Sequence, residues 1–172
     1  MSRRLRAIRA ESGERKIQQE ILQLLDLWQI PAHAMGAGVR SNGGARHVGG
    51  AASVPDILGF LPWGQALAIE VKGGSRGYGL RPGQARWIVD TARRSPFMLI
   101  MIATSCEDVR GVLAPIMAIW TQPDRPDWPL GEVWARMPTA VLDARLQAVA
   151  AAEQVLAKER ARPRPGVPAP LL

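Results

Sequence analysis

Ser53-Val54-Pro55-Asp56-Ile57-Leu58-Gly59-Phe60-Leu61-Pro62-Trp63-Gly64-Gln65-Ala66-Leu67-Ala68-Ile69-Glu70-Val71-Lys72 is the stretch on which the reading of this chain turns. Two apolar runs rich in Ile, Leu and Val flank Pro62-Trp63-Gly64, the composition of a β-hairpin. Its formal charges are Asp56, Glu70 and Lys72. Charged side chains rarely enter a buried strand unless they are paired or bind a metal. This trio therefore demands an explanation.

The turn residues set the register. Pro62, Trp63 and Gly64 suit a three-residue loop, with Pro at the first central position of a type I turn and Gly64 in the left-handed conformation. That loop pairs Leu61 with Gln65 and carries Asp56 to the position opposite Glu70. Cross-strand partners share a face, so the carboxylates stand roughly 5 Å apart at Cβ. Lys72 lies on the same face about 7 Å beyond Glu70, while Ile57, Ile69 and Val71 point into the core. A four-residue loop would slip the register by one and separate the acids.

Two carboxylates converging beside an ammonium suit a hard divalent cation, Mg²⁺ or Mn²⁺. Lys72 then stabilises negative charge on a phosphate or orients a water. The competing reading is an edge ion pair between Glu70 and Lys72, solvated and inert.

Upstream, Ile17, Ile21, Leu24, Leu25 and Trp28 recur at helical spacing, predicting an amphipathic helix from Ser12, its N-cap, to about Trp28. Glu14 and Glu20 are its candidate carboxylates, and Glu14 borders the apolar stripe. A first strand is expected within His33–Arg40. A glycine-rich loop follows, in which Arg40, Asn42 and Arg46 are placed to hold phosphates or else to form a plain connector. His33 and His47 lack the spacing of a zinc site.

Downstream of Lys72 lies a second glycine-rich basic loop with Arg76, Tyr78 and Arg81, in which Tyr78 is a candidate base-stacking residue. Pro82 suits a helix first turn. Gln84 shares a face with Trp87, Ile88 and Thr91, which aims it at the sheet. Phe97–Ala103 reads as a buried strand and Ser105 as the cap of a helix reaching Ile116. Thr121–Pro129 reads as a linker. From Thr139 to about Arg160 an Ala-rich helix carries Val141, Leu142, Leu146, Val149 and Leu156, for packing on the core or for self-association. Arg162–Leu172 is Pro-rich and reads as a disordered tail.

Pro55-Asp56 followed by Glu70-Val71-Lys72 resembles the PD-(D/E)xK nuclease motif. With Gly77, Gly79 and Leu80-Arg81-Pro82-Gly83-Gln84, the likeness extends to the VRR-NUC branch of that superfamily, over about Glu14 to Leu113. The resemblance implies that Asp56, Glu70, the Val71 carbonyl and Glu14 bind the metal, that Lys72 activates the water, and that Gln84 positions Lys72. Members often carry Ser where Arg81 stands, a departure that weakens the helix cap and removes no catalytic group. It further implies DNA as substrate, with branched or junction structures preferred, and a homodimer in a phage or bacterial setting.

The bounds agree. At 172 residues, 47% hydrophobic, the chain can bury one core, and it has no apolar run of transmembrane length. A net charge of +7 and a pI near 10.9 favour a polyanionic partner. Arg3, Arg4, Arg6 and Arg9 form a nucleic-acid-binding arm or a frayed, solvated terminus. One cysteine, Cys106, suits a reducing cytoplasm, and the N-terminus lacks a signal peptide's apolar segment. The expectation is an α/β fold, a restriction-endonuclease-like αβββαβ core with a mixed sheet. Its segments are a basic arm over 1–12, a nuclease domain over 13–120, a linker over 121–138, a helix over 139–161 and a tail over 162–172. The alternatives are a restriction- or repair-type endonuclease, a silent DNA-binding module of the same fold, and an interaction protein built on the last helix.

Overall fold

The computed structural model describes residues 3–35, 54–73, 79–121 and 130–162. In chain order the elements are α1 (Arg3–Leu27), β1 (Ala32–Ala34), β2 (Ile57–Phe60), β3 (Ala66–Val71), α2 (Pro82–Arg94), β4 (Leu99–Ala103), α3 (Cys106–Trp120), α4 (Leu130–Ala135) and α5 (Thr139–Arg160). The strands form one mixed sheet in the order β1-β2-β3-β4, with β1, β2 and β3 antiparallel and β4 parallel to β3. The fold is α/β, with helices on both faces of the sheet.

The hairpin closes as the turn residues require. Leu61 N–H donates to the Gln65 carbonyl and Gly64 N–H to the Leu61 carbonyl, both at 2.8 Å, and Gly64 takes φ +83°. That conformation is costly for any residue with a Cβ. The ladder then pairs Phe60 with Ala66 and Ile57 with Ile69. Trp63 locks the turn by donating its Nε1–H to Gln65 Oε1 at 2.7 Å, and its ring leans on Trp120 with centroids 5.1 Å apart.

Strand alternation divides the core. Ile57, Leu67, Ile69 and Val71 face α1 and α3 with Leu99 and Met101, all buried. Ala68 and Ile100 face α2 and α5 on the other side. At Gly59 a Cβ would meet the Pro31 carbonyl oxygen at 2.8 Å, so glycine is what lets β1 approach β2 this closely. Ser105 caps α3 reciprocally with Asp108, its Oγ accepting from Asp108 N–H while Asp108 Oδ2 accepts from Ser105 N–H.

Several boundaries differ from the sequence reading. Helix α1 starts at Arg3, so Ser12 is not its cap and the basic arm is helical backbone. Arg, Leu and Ala are good helix formers, and one internal Gly13 costs only about 1 kcal/mol. Strand β1 is three residues long, and the expected remainder toward Arg40 lies outside the described residues from position 36 onward. The segment read as a linker over 121–138 contains α4, and its Val133 and Met137 are buried in the α1/α3 side of the core. The last helix packs on α2 and β4 through Ala148 and Ala152, whereas Leu146 is 62% exposed. Arg145 fastens it, donating to the Ala92 carbonyl at 2.7 Å and the Met98 carbonyl at 3.2 Å. The expected tail from 163 onward lies outside the described residues. Among those described, no helix is long and apolar enough to cross a membrane.

Candidate active site

Strands β2 and β3 share a register that, one pair beyond Ile57 and Ile69, sets Asp56 opposite Glu70. The β3–β4 pairing continues one residue past β3, with Lys72 N–H donating to the Ala103 carbonyl at 2.8 Å. Lys72 is thereby held at the end of the strand rather than released into the following loop. Pro82 starts α2 so that Gln84, in its first turn, faces this strand end. The buried polar or charged residues among those described are Gln65, Glu70, Lys72 and Gln84. Three of the four meet at this one place.

Their contacts are mutual. Lys72 Nζ lies 2.6 Å from Glu70 Oε1. Gln84 Nε2 donates to the same Glu70 oxygen, while Gln84 Oε1 accepts from Lys72 Nζ at 3.2 Å and from Arg81 N–H at 3.0 Å. Gln84 thus caps its own helix and spans both members of the ion pair, which offsets the cap that Arg81 does not supply through a hydroxyl. Arg81 itself is exposed. Across the hairpin, Val71 N–H donates to Asp56 Oδ2 at 2.8 Å. Val71 contributes its amide here, and its side chain is buried in the core.

Electrostatics mark the same spot. The Glu70 carboxyl is pushed up to about 7, first by burial and then by the negative charge of Asp56, against the opposing pull of Lys72. Two carboxylates close enough to disfavour each other's ionisation are the donor set that a hard divalent cation takes. The donors among the described residues fall on Oδ2 of Asp56 and Oε1 of Glu70, one oxygen of each acid.

Helix α1 reaches both strand ends. Glu14 Oε1 accepts from Gly73 N–H at 3.2 Å, and Gln18 Nε2 donates to the Asp56 carbonyl at 2.8 Å. Glu20 is turned elsewhere, 3.8 Å from Lys16 Nζ on its own helix. Glu14 is therefore the helix carboxylate at the site's margin, although it lies on Gly73 rather than joining the acidic pair. Among the described residues, no three His, Cys, Asp or Glu side chains gather as a metal-holding cluster.

Gln18 was missed by the sequence reading. The signal was its position four residues after Glu14, which stacks the two on one helix face. Of the nucleic-acid candidates, Arg40, Asn42, Arg46, Arg76 and Tyr78 lie outside the described residues. A cavity of about 740 Å³ between α2 and α5 is lined by Arg86, Asp90, Arg93 and Glu153 among others and includes no member of this site. No protein-family model, curated protein or solved structure matches this chain.

Proposed function

We propose that this chain is a metal-dependent endonuclease hydrolysing DNA phosphodiester bonds on a restriction-endonuclease-like fold, with Mg²⁺ as its cofactor and Mn²⁺ as a substitute. The observation that carries the reading is a buried Glu70–Lys72 pair bridged by Gln84, with Asp56 facing Glu70 across one hairpin. The sheet is compatible with the αβββαβ order of that fold.

The donor set fits the cofactor, because two hard carboxylates that repel each other gain from a shared cation. Asp56 and Glu70 hold it in this reading, and Glu14 lies at the margin. When bound, the cation supplies a water of lowered pKa and screens the phosphate charge that repels an attacking hydroxide. Lys72, fixed by Glu70 and Gln84, presents an ammonium to the negative charge that develops on the phosphate during attack. Gln84 keeps that ammonium from swinging away. Asp56 is oriented by the Val71 amide, so its carboxylate needs little rearrangement to act.

Branched or junction DNA is the proposed substrate, with a homodimer supplying two sites for paired cuts. The test is a panel of branched, single-stranded and duplex DNA incubated with purified protein in Mg²⁺ or EDTA, with Asp56→Ala as control. Metal-dependent cutting that Asp56→Ala abolishes is the expected result. Binding without cutting would leave a silent DNA-binding module of this fold.

A further inference from the structure

Asp56 stands one residue before β2 begins, outside the β2–β3 ladder that orders its neighbours. Beyond that register, its position is fixed by contacts from the end of β1, from α1 and from the end of β3. Met35 N–H, just after β1, donates to the Asp56 carbonyl at 2.8 Å, and Gln18 Nε2 from α1 donates to the same carbonyl at 2.8 Å. Val71 N–H holds the carboxylate. The Met35 bond alone satisfies the carbonyl, so Gln18 is not needed to rescue a lone buried acceptor. Ordering a Gln side chain also costs conformational entropy. What the second bond adds is direction: with two donors on the carbonyl, the peptide plane after Asp56 cannot rotate without breaking one of them.

We propose that Gln18 is a positioning residue, which fixes the Asp56 carboxylate against Glu70 and so sets the affinity of this site for a divalent cation. The inference rests on the metal-dependent reading above. Helix α1 then serves the site at two points one turn apart, through Gln18 at Asp56 and Glu14 at Gly73.

The full chain is tested with Gln18→Met, which keeps length and loses the donor, and with Gln18→Glu, which turns a carboxylate toward the carbonyl. Mn²⁺ binding is followed by the electron-paramagnetic signal of the free ion, Tm is measured in EDTA, and cleavage of branched DNA is titrated with Mg²⁺. Both variants are expected to bind Mn²⁺ about 10- to 100-fold more weakly, the usual cost of losing an outer partner of a metal ligand. Tm should change little, and raised Mg²⁺ should restore the cleavage rate. Wild-type Mn²⁺ affinity in both variants overturns the inference while leaving the nuclease reading intact. Loss of the folded state in both assigns Gln18 to the core and overturns it as well. A wild-type protein that neither takes up Mn²⁺ nor cuts removes the nuclease reading, and the inference with it.

Discussion

The backbone N–H of Val71 lies 2.8 Å from Asp56 Oδ2, so the residue between Glu70 and Lys72 in sequence is the one that orients the acid facing them across the hairpin. One β-turn thereby couples all of the hairpin's charges. The ion pair sits on β3, the second acid on the approach to β2, and the amide between them forms the link. Helix α2 closes the arrangement with Gln84, whose two ends contact opposite charges.

Lys72→Ala is expected to abolish cleavage and leave DNA binding largely intact, as read by single-turnover cutting and a gel-shift titration. The same change leaves Glu70 buried without its cation. Breaking a buried pair from one side costs about 3–5 kcal/mol when the remaining charge stays ionised. Without Lys72 the Glu70 carboxyl is pushed further up and can shed its charge by taking a proton. Denaturant unfolding should therefore show a loss below this range near neutral pH that grows as the pH is raised.

Gln84→Glu replaces the amide's donor with a third carboxylate oxygen against Glu70, at a position where Lys72 and Arg81 N–H still need an acceptor. The expected outcome is a cleavage rate lowered about 10- to 100-fold, comparable to the loss of other outer partners at metal sites. Gln84→Ala should match it in rate. In stability it should lose about 1.5–3 kcal/mol, the worth of hydrogen bonds to charged groups.

The pH dependence of stability has a definite sign. In the folded protein Glu70 ionises near 7, and its ordinary value is 4.5. Between those values the native state keeps a proton that the unfolded chain has released, so stability in metal-free buffer declines as pH rises through that window. The decline amounts to about 3 kcal/mol for this one group. Tm in EDTA should fall from pH 5 to pH 8, a range chosen to span roughly both values, and Glu70→Gln should flatten the slope. Added Mg²⁺ favours the ionised form and should raise Tm most at the alkaline end.

Much of this geometry was legible because it depends on short-range chemistry. Pro62-Trp63-Gly64 allows one comfortable loop length, and the loop length sets which residues face each other. Ser105 and Pro82 mark helix starts through capping and ring constraints that act within one turn. The misreadings have other causes. The backbone beginning at Arg3 follows from good helix formers that the sequence reading took for an arm, whereas the short α4 depends on the core that buries Val133 and Met137, which no local pattern records. In α5 the sequence pointed to Val141, Leu142, Leu146, Val149 and Leu156: Val141 is buried and Val149 and Leu156 pack on the core, whereas Leu142 and Leu146 are exposed. Ala148 and Ala152 take the remaining buried positions, because close approach to α2 and β4 favours small side chains over large ones. Gln18 escaped notice because its partner is a backbone carbonyl 38 positions away.

That contrast gives a packing prediction. Ala148→Leu or Ala152→Leu should cost about 1–3 kcal/mol by overfilling the α2–α5 seam. Leu146→Ala, at a largely exposed position, should stay within about 0.5 kcal/mol of wild type. Chemical denaturation of the three variants tests the ranking.

Arg145 and the two alanines tie α5 to the helix that carries Gln84. Deleting the chain after position 138 would therefore strip the outer wall from α2 and loosen the ammonium that Gln84 restrains. A shortened protein of that kind should fail at catalysis before it fails at holding DNA.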